Sequence, residues 1–226
     1  MFTLDQVVPW GRSFDEYRRM FALSDADLAR TILGCGDGPA SFNAEAARRG
    51  TRVVSCDPLY RWDGEEIRDR IRATSAEVLA ETRRNRHEFV WTSIRSVEAL
   101  GEVRMAAMNE FLGDYDAGRT DGRYLDAALP SLPFADRAFE LALSSHFLFL
   151  YTVQLGEAFH AAAVQEMCRV ASEVRIFPLV MLGGQQSPCV DQQMRELRRL
   201  GLKISLETVD YEFQRGANQM MRIRQS

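Results

Sequence analysis

The sequence predicts an α/β fold: a seven-stranded, mostly parallel sheet with helices on both faces, a C-terminal antiparallel hairpin and a helical insertion. Three observations lead there. Five short apolar runs, beginning at Thr31, Arg52, Arg123, Phe139 and Glu173, alternate with segments of helical character, the pattern of a parallel sheet built from crossover connections. A turn containing Gly34, Gly36 and Gly38 separates the first run from the helix after it, where glycine lets the backbone bend tightly and leaves its N–H groups open to a ligand. Finally, 202–209 and 218–224 are alternating segments joined by a short loop with Gly216, which reads as an antiparallel pair.

Length and composition set the bounds. The chain of 226 residues is long enough to bury the core of one α/β domain, here 31–226 including an insertion at about 61–120, behind an N-terminal helical cover at 1–30. A hydrophobic share of 46% against 27% charged residues is that of an ordinary globular protein, and a net charge of −4 argues against a nucleic-acid partner. The basic run RRNRHEF at 83–89 is bracketed by Glu81 and Glu88 and reads as a solvated helix face. Cys35, Cys56, Cys168 and Cys189 form no CxxC pair and, with His87, His146 and His160, no zinc spacing, so no metal is expected. Cys35 and Cys56 fall on predicted strands and read as small buried hydrophobes in a reducing compartment. The opening MFTLDQVVPW has neither a positive start nor a long apolar core, and no run approaches the ~18 apolar residues of a membrane span. A cytoplasmic protein without a membrane partner is the expectation.

In chain order, Ser13 caps a helix carrying Phe14, Tyr17 and Phe21, and Ser24 with Asp27 three residues later starts a second, shorter one. After the strand at 31–35 comes a helix, then the strand RVVSC. From Gly64 to about residue 86, Ile67, Ile71, Val78 and Leu79 make the apolar stripe of a long amphipathic helix. A further helix starts at Ser96 and runs to a turn region at 113–122. Since a minimal crossover needs a single helix of about a dozen residues, the excess is an insertion, and insertions beside strand ends commonly wall a site. A strand at 123–128 leads into LPSLPF, where Pro130 and Pro133 force a loop. FELALS at 139–144 and VRIFPLV at 174–180 are nearly continuous apolar runs suited to buried parallel strands. Helices at 156–171 and 191–200 separate the remaining strands.

The chemistry concentrates in 31–59, TILGCGDGPASFNAEAARRGTRVVSCDPL. Asp57 ends the second strand about 20 residues beyond the glycine turn, where a carboxylate can accept hydrogen bonds from ribose hydroxyls. A dinucleotide fingerprint needs a third glycine where this chain has Pro39, which makes NAD the weaker nucleoside ligand. GCGDG with an acid at the end of the next strand resembles the first two motifs of class I S-adenosylmethionine-dependent methyltransferases. LPFADRAFE at 132–140 is similar to the loop that precedes the fourth strand in that family, and the reversed strand at the sheet edge is similar too.

The resemblance implies S-adenosylmethionine as cofactor, bound by Gly34, Cys35, Gly36, Asp37 and Gly38 together with Asp57 and Pro58, with Ala128 and Leu129 meeting the adenine. It also implies that the N-terminal helices close over the cofactor, so that Trp10, Arg12 or Tyr17 lines it. Two positions depart from the family's pattern: Ile32 stands where many members carry an acid, and Ala128 where many carry an adenine-binding Asp, with Asp126 two residues earlier. The methionyl ammonium would then look to the carbonyls of Gly34 and Ser144 or to Asp37, and the carboxylate to an arginine of the cover. His146 is the one histidine near the carboxyl end of the fourth strand and reads either as a general base or as a histidine held by its loop. Tyr17, Phe147 and Tyr151 are candidates for the substrate pocket. The function so implied is direct in-line methyl transfer to a small-molecule acceptor, with an RNA or protein methyltransferase and a non-catalytic S-adenosylmethionine-binding protein as the alternatives.

Overall fold

The computed structural model describes residues 1–225. The elements follow in the order α1 (Phe14–Met20), α2 (Asp25–Leu28), β1 (Thr31–Cys35), α3 (Phe42–Arg48), β2 (Arg52–Cys56), α4 (Gly64–Arg84), α5 (Val97–Thr120), β3 (Tyr124–Leu125), β4 (Phe139–Ser145), α6 (Thr152–Val170), β5 (Ala171–Phe177), α7 (Cys189–Arg199), β6 (Lys203–Thr208) and β7 (Gln219–Arg224). One seven-stranded sheet runs β3-β2-β1-β4-β5-β7-β6. Its first five strands are parallel, and β7 enters antiparallel between β5 and β6.

Both faces of the central strands are covered, which is why β1, β4 and β5 read as apolar runs rather than alternating ones. Ile32 and Leu141 point toward α1 and α3; their neighbours Leu33 and Ala142 point the other way, toward α6 and α7. A third cluster, Tyr60, Ile67, Ile71, Met108, Phe111, Tyr115 and Tyr124, holds α4 and α5 to the β3 edge. Of the two helices in 61–120, α5 packs against α3 and β3 as a crossover helix does, while α4 lies outside that frame and packs on α5. No helix among the described residues is long and apolar enough to cross a membrane.

Several boundaries differ from expectation for identifiable reasons. β3 is two residues long, because β2 offers partners only at Ser55 and Cys56 before it ends. α5 continues to Thr120, through most of the region expected to turn. Gly118 serves packing rather than a bend, since a Cβ on it would stand 2.3 Å from the Tyr124 ring. α6 begins at Thr152 and tolerates Gly156, whose φ of 77° and ψ of 165° break the helix locally. β5 stops at Phe177, before Pro178, which has no N–H for the ladder.

The N-terminal cover is fastened from both ends. Ser13 and Ser24 each form a reciprocal capping box, with Glu16 and Asp27. Asp27 also pairs with Arg175 of β5 at 2.7 Å, and Arg175 reaches Glu173 at 2.7 Å and the Phe21 carbonyl at 2.8 Å. Glu173 in turn accepts from Arg222 of β7 at 2.8 Å and lies 3.4 Å from Arg30. Burial among three guanidinium groups is worthwhile only with all partners in place.

Candidate functional site

At the carboxyl ends of β1, β2 and β4, where open α/β sheets build their sites, lies a cavity of about 600 Å³. The β1–α3 loop forms its floor. Gly36 adopts φ +70° and Gly38 φ +53°, the left-handed region that suits glycine, and a Cβ on Gly36 would press within 2.7 Å of the Phe147 ring. The Gly36 N–H donates to the Cys56 carbonyl at 2.9 Å, tying the loop to the end of β2.

Asp57 sits where β2 ends. Its Oδ2 accepts from the Gly38 N–H and its Oδ1 from the Leu59 N–H, both at 2.8 Å. Each carboxylate oxygen keeps further acceptor capacity, and Asp57 lines the cavity. Burial raises the Asp57 carboxyl above the usual range, and the two N–H donors and Arg61 work against that rise. Pro58 and Leu59, with Ala127, Ala128, Leu129 and Leu132 opposite, offer the apolar slot a planar base would fill.

Asp37 does something different from Asp57. Its side chain folds back across β1, so that a Cβ on Gly34 would lie 1.8 Å from Asp37 Oδ2. There Oδ2 accepts from Ser55 Oγ at 2.6 Å and Oδ1 from the Tyr17 hydroxyl at 2.9 Å. Burial pushes the carboxyl up to about 6, against the pull of the two hydroxyl donors. Ile32 is core under the N-terminal cover, and Asp37 is the carboxylate that folds across β1.

The residues after β4 complete the floor. His146 stands at φ +53° and Phe149 at φ +66°, left-handed conformations that cost a non-glycine residue about 1–3 kcal/mol each. The His146 backbone N–H donates to the Phe177 carbonyl at 2.7 Å, and its Nδ1 lies 3.0 Å from Ser145 Oγ. His146 lines the cavity, and Phe177 and Tyr211 pack on its ring. Burial, with Arg12 and Arg104 nearby, holds the imidazole well below its ordinary pKa and therefore neutral. His160 belongs elsewhere: its Nε2 accepts from the Phe149 N–H at 3.0 Å, so Nδ1 carries the proton donated to the Gly156 carbonyl at 2.7 Å.

A strap of residues 6–12 closes the cavity from above. Gly11 lies so tightly on the β1–α3 loop that a Cβ would meet the Pro39 carbonyl oxygen at 2.1 Å, and the Arg12 carbonyl accepts from the Ser41 N–H at 3.0 Å. Upstream, Gln154 donates to the Leu4 carbonyl at 2.6 Å. The remaining wall is α4 and the turn before it, with Arg70 stacked 3.9 Å over the Trp62 ring and Thr74 one turn further on.

Of the residues singled out from sequence, the cavity gathers Cys35, Gly36, Asp37, Gly38, Asp57, Pro58, Ala128, Leu129, His146, Phe147 and Tyr17. It does not include Gly34, which lies beneath Asp37, or Ser144, which is wholly buried; Ser145 lines the wall in its place. Tyr151 lines a smaller neighbouring chamber, and Asp126 is absent from the lining. Trp10 and Arg12 line the cavity too, as does the insertion through α4; what the sequence did not single out are the particular residues Gln6–Pro9 of the strap and Arg70 and Thr74 of α4. Arg70 and Thr74 follow each other at helical spacing beside the Ile67 and Ile71 stripe, a polar seam that marks a second face of α4.

The strand order, with β7 reversed beside β5, and a glycine loop facing an acid at the end of β2 define the class I methyltransferase fold. The chain belongs to the same family as an uncharacterized protein of Methanocaldococcus jannaschii, to which it is 32% identical over 223 residues, covering 98% of this chain and 97% of the relative. No family model matches the sequence. Among solved structures it is similar to the magnesium protoporphyrin IX methyltransferase of Synechocystis PCC 6803 with bound SAH, at 13% identity and a TM-score of 0.49 over 94% of this chain and 82% of that one. It is similar also to a SAM-dependent methyltransferase from Aquifex aeolicus, at 12% identity and a TM-score of 0.45 over 92% and 90% of the two chains.

Proposed function

We propose that the chain is an S-adenosylmethionine-dependent methyltransferase acting on a small-molecule acceptor by direct in-line transfer. The observation that supports this best is the nucleoside-shaped half of the cavity, with the Gly36–Gly38 loop as floor, the Asp57 carboxylate at its side and the Ala127–Leu132 slot beyond. The residues present fit the cofactor. Asp57 is pre-oriented by two backbone donors for the ribose hydroxyls, Leu59 and Leu129 flank the position of the base, and the Gly36 backbone leaves no side chain in the path of the methionyl arm. Bound there, S-adenosylmethionine supplies a methyl group on a sulfonium whose leaving group is neutral.

The protein's tasks are then positioning, exclusion of water and removal of a proton. The strap and α4 do the excluding, which also favours a small acceptor over a nucleic acid or a folded protein. With Nδ1–H donating to Ser145 Oγ, His146 Nε2 keeps its lone pair for the proton that a hydroxyl, amine or thiol acceptor loses as its new bond to the methyl carbon forms. The strained backbone at His146 fixes that ring at the sheet edge, a conformation the sequence keeps at a cost in stability.

Titration with S-adenosylhomocysteine (SAH) by calorimetry tests the reading. Wild-type protein is expected to bind, and Asp57→Ala to bind at least tenfold more weakly, since hydrogen bonds to a charged group are worth about 1.5–3 kcal/mol each. An Asp57→Ala variant with undiminished affinity would sink the cofactor assignment.

A further inference from the structure

The sheet ends differently at its two edges. At one, β3 is two residues long and packs against α5; at the other, β6 runs a full six residues and has β7 on one side only. Among the described residues, the β6 backbone bonds to no other element, so a row of its N–H and C=O groups faces outward unpaired. Natural edges are commonly blunted by brevity, a bulge or a proline. β6 has none of these, and its six residues stay in unbroken register with β7.

The side chains along that edge are unbalanced in a single chain. Lys203 stands opposite Arg224 in the ladder, where like charges destabilise, and neither side chain has an ion pair or hydrogen bond among the described residues. Four residues on, and on the same face, Glu207 accepts from Ser205 Oγ at 2.7 Å and lies 3.6 Å from Arg222, with its side chain still 32% exposed. Ile204 and Leu206, on the other face, are only partly covered by the cluster beneath α7. Leu200, at the turn into β6, is 63% exposed.

This segment is complementary to itself. A two-fold axis perpendicular to the sheet through Ser205 sets two β6 strands antiparallel, with facing residues on the same side of the sheet. Lys203 then meets Glu207 twice, and Ile204 meets Leu206 twice. An axis through any neighbouring residue leaves Lys203 and Glu207 without each other. We infer that the partner of this edge is a second copy of the chain, joined through β6 into one continuous sheet of fourteen strands, seven from each copy. The partner's Glu207 supplies the carboxylate that Lys203 and Arg224 lack, and the unpaired backbone of each edge is satisfied by the other. The carboxyl ends of β1, β2 and β4, at least three strands away from β6, stay open in both copies.

Sedimentation velocity of the full chain at micromolar concentrations tests this. Wild type is expected to sediment as a dimer that dissociates on dilution. Lys203→Glu and Glu207→Lys are each expected to weaken association by about tenfold or more, since two attractions become two repulsions. The two reversals together are expected to bring it back to within about threefold of wild type, because exchanging the charges preserves their pairing across the axis. Ser205→Cys is expected to be linked by a short bifunctional thiol reagent into a covalent dimer that wild type does not form, as facing Cβ atoms of an antiparallel pair are about 5 Å apart. Wild-type protein that stays monomeric at about 100 μM, well above the dissociation constant of a specific dimer, overturns the inference and needs no variant to fold. A dimer indifferent to both single reversals overturns it too, since the copies would then be joined elsewhere, and so does a dimer whose Ser205→Cys form resists the reagent.

Discussion

Asp37 is a carboxyl whose titration is set by the fold around it. Its buried carboxyl, pushed up to about 6, prefers its proton in the folded state, whereas the unfolded chain releases that proton near 4. The sign follows: folding is favoured below about pH 4, and this contribution is lost as pH rises through about 6, amounting to about 3 kcal/mol at neutral pH on the linkage relation. Asp37→Asn cannot ionise, so the stability of wild type relative to the variant is expected to fall between pH 4 and 7, as measured by urea denaturation across that range. Glu16 behaves oppositely. Its carboxyl is held down to about 2 against burial, chiefly by Arg104, so its stabilisation is present above about pH 4.5 and lost as the pH drops toward 2. Arg104→Met leaves Glu16 buried without its partner and is expected to cost about 3–5 kcal/mol in the same measurement at pH 7. None of these roles can be read from single positions in the sequence. Gly36 and Asp57 were legible because backbone geometry and strand ends fix them locally; Asp37, Tyr17 and Ser55 meet only through the fold.

At the level of elements, α6 separates space from conformation. Gly156 has open room around its Cα, with nothing within 4 Å of where a Cβ would stand, yet its φ and ψ lie in a region essentially confined to glycine. Gly156→Ala is therefore expected to destabilise by about 1–3 kcal/mol in urea denaturation, whereas Gly113→Ala in α5, equally uncrowded but with a helical backbone, is expected to stabilise by up to about 1 kcal/mol. The strands and most helices were legible because buried parallel strands are continuously apolar and caps are local. Ser13, Ser24 and Ser96 each cap the helix they were expected to start. The ends of α5 and the early start of α6 were not, since Gly113, Gly118 and Gly156 look alike in sequence and only their neighbours tell a packing glycine from a bend.

For the whole molecule, a ligand enclosed by the loop, the strap and α4 should stabilise the native state by mass action. At SAH concentrations a hundredfold above the dissociation constant the gain is about 2.7 kcal/mol, which for a chain of this size raises Tm by about 5–10 °C. Differential scanning fluorimetry of wild type and Asp57→Ala checks this, with a much smaller rise expected in the variant. The fold class was legible from alternation alone, because the order of apolar runs and helices leaves few topologies open. The position of the strap depends on contacts across the whole chain, and no local pattern encodes it.

The reversed strand has a consequence for synthesis. Because β7 inserts between β5 and β6, a nascent chain that has emerged only as far as β6 leaves the β5 edge unpaired and β6 without a neighbour in the sheet. Arg222, which clamps Glu173 and through it the Arg175 tether of the N-terminal cover, arrives on that same strand. The N-terminal cover, made well before β7, is thus tied down through a residue of β7, and the roof over the site waits on the translation of that strand.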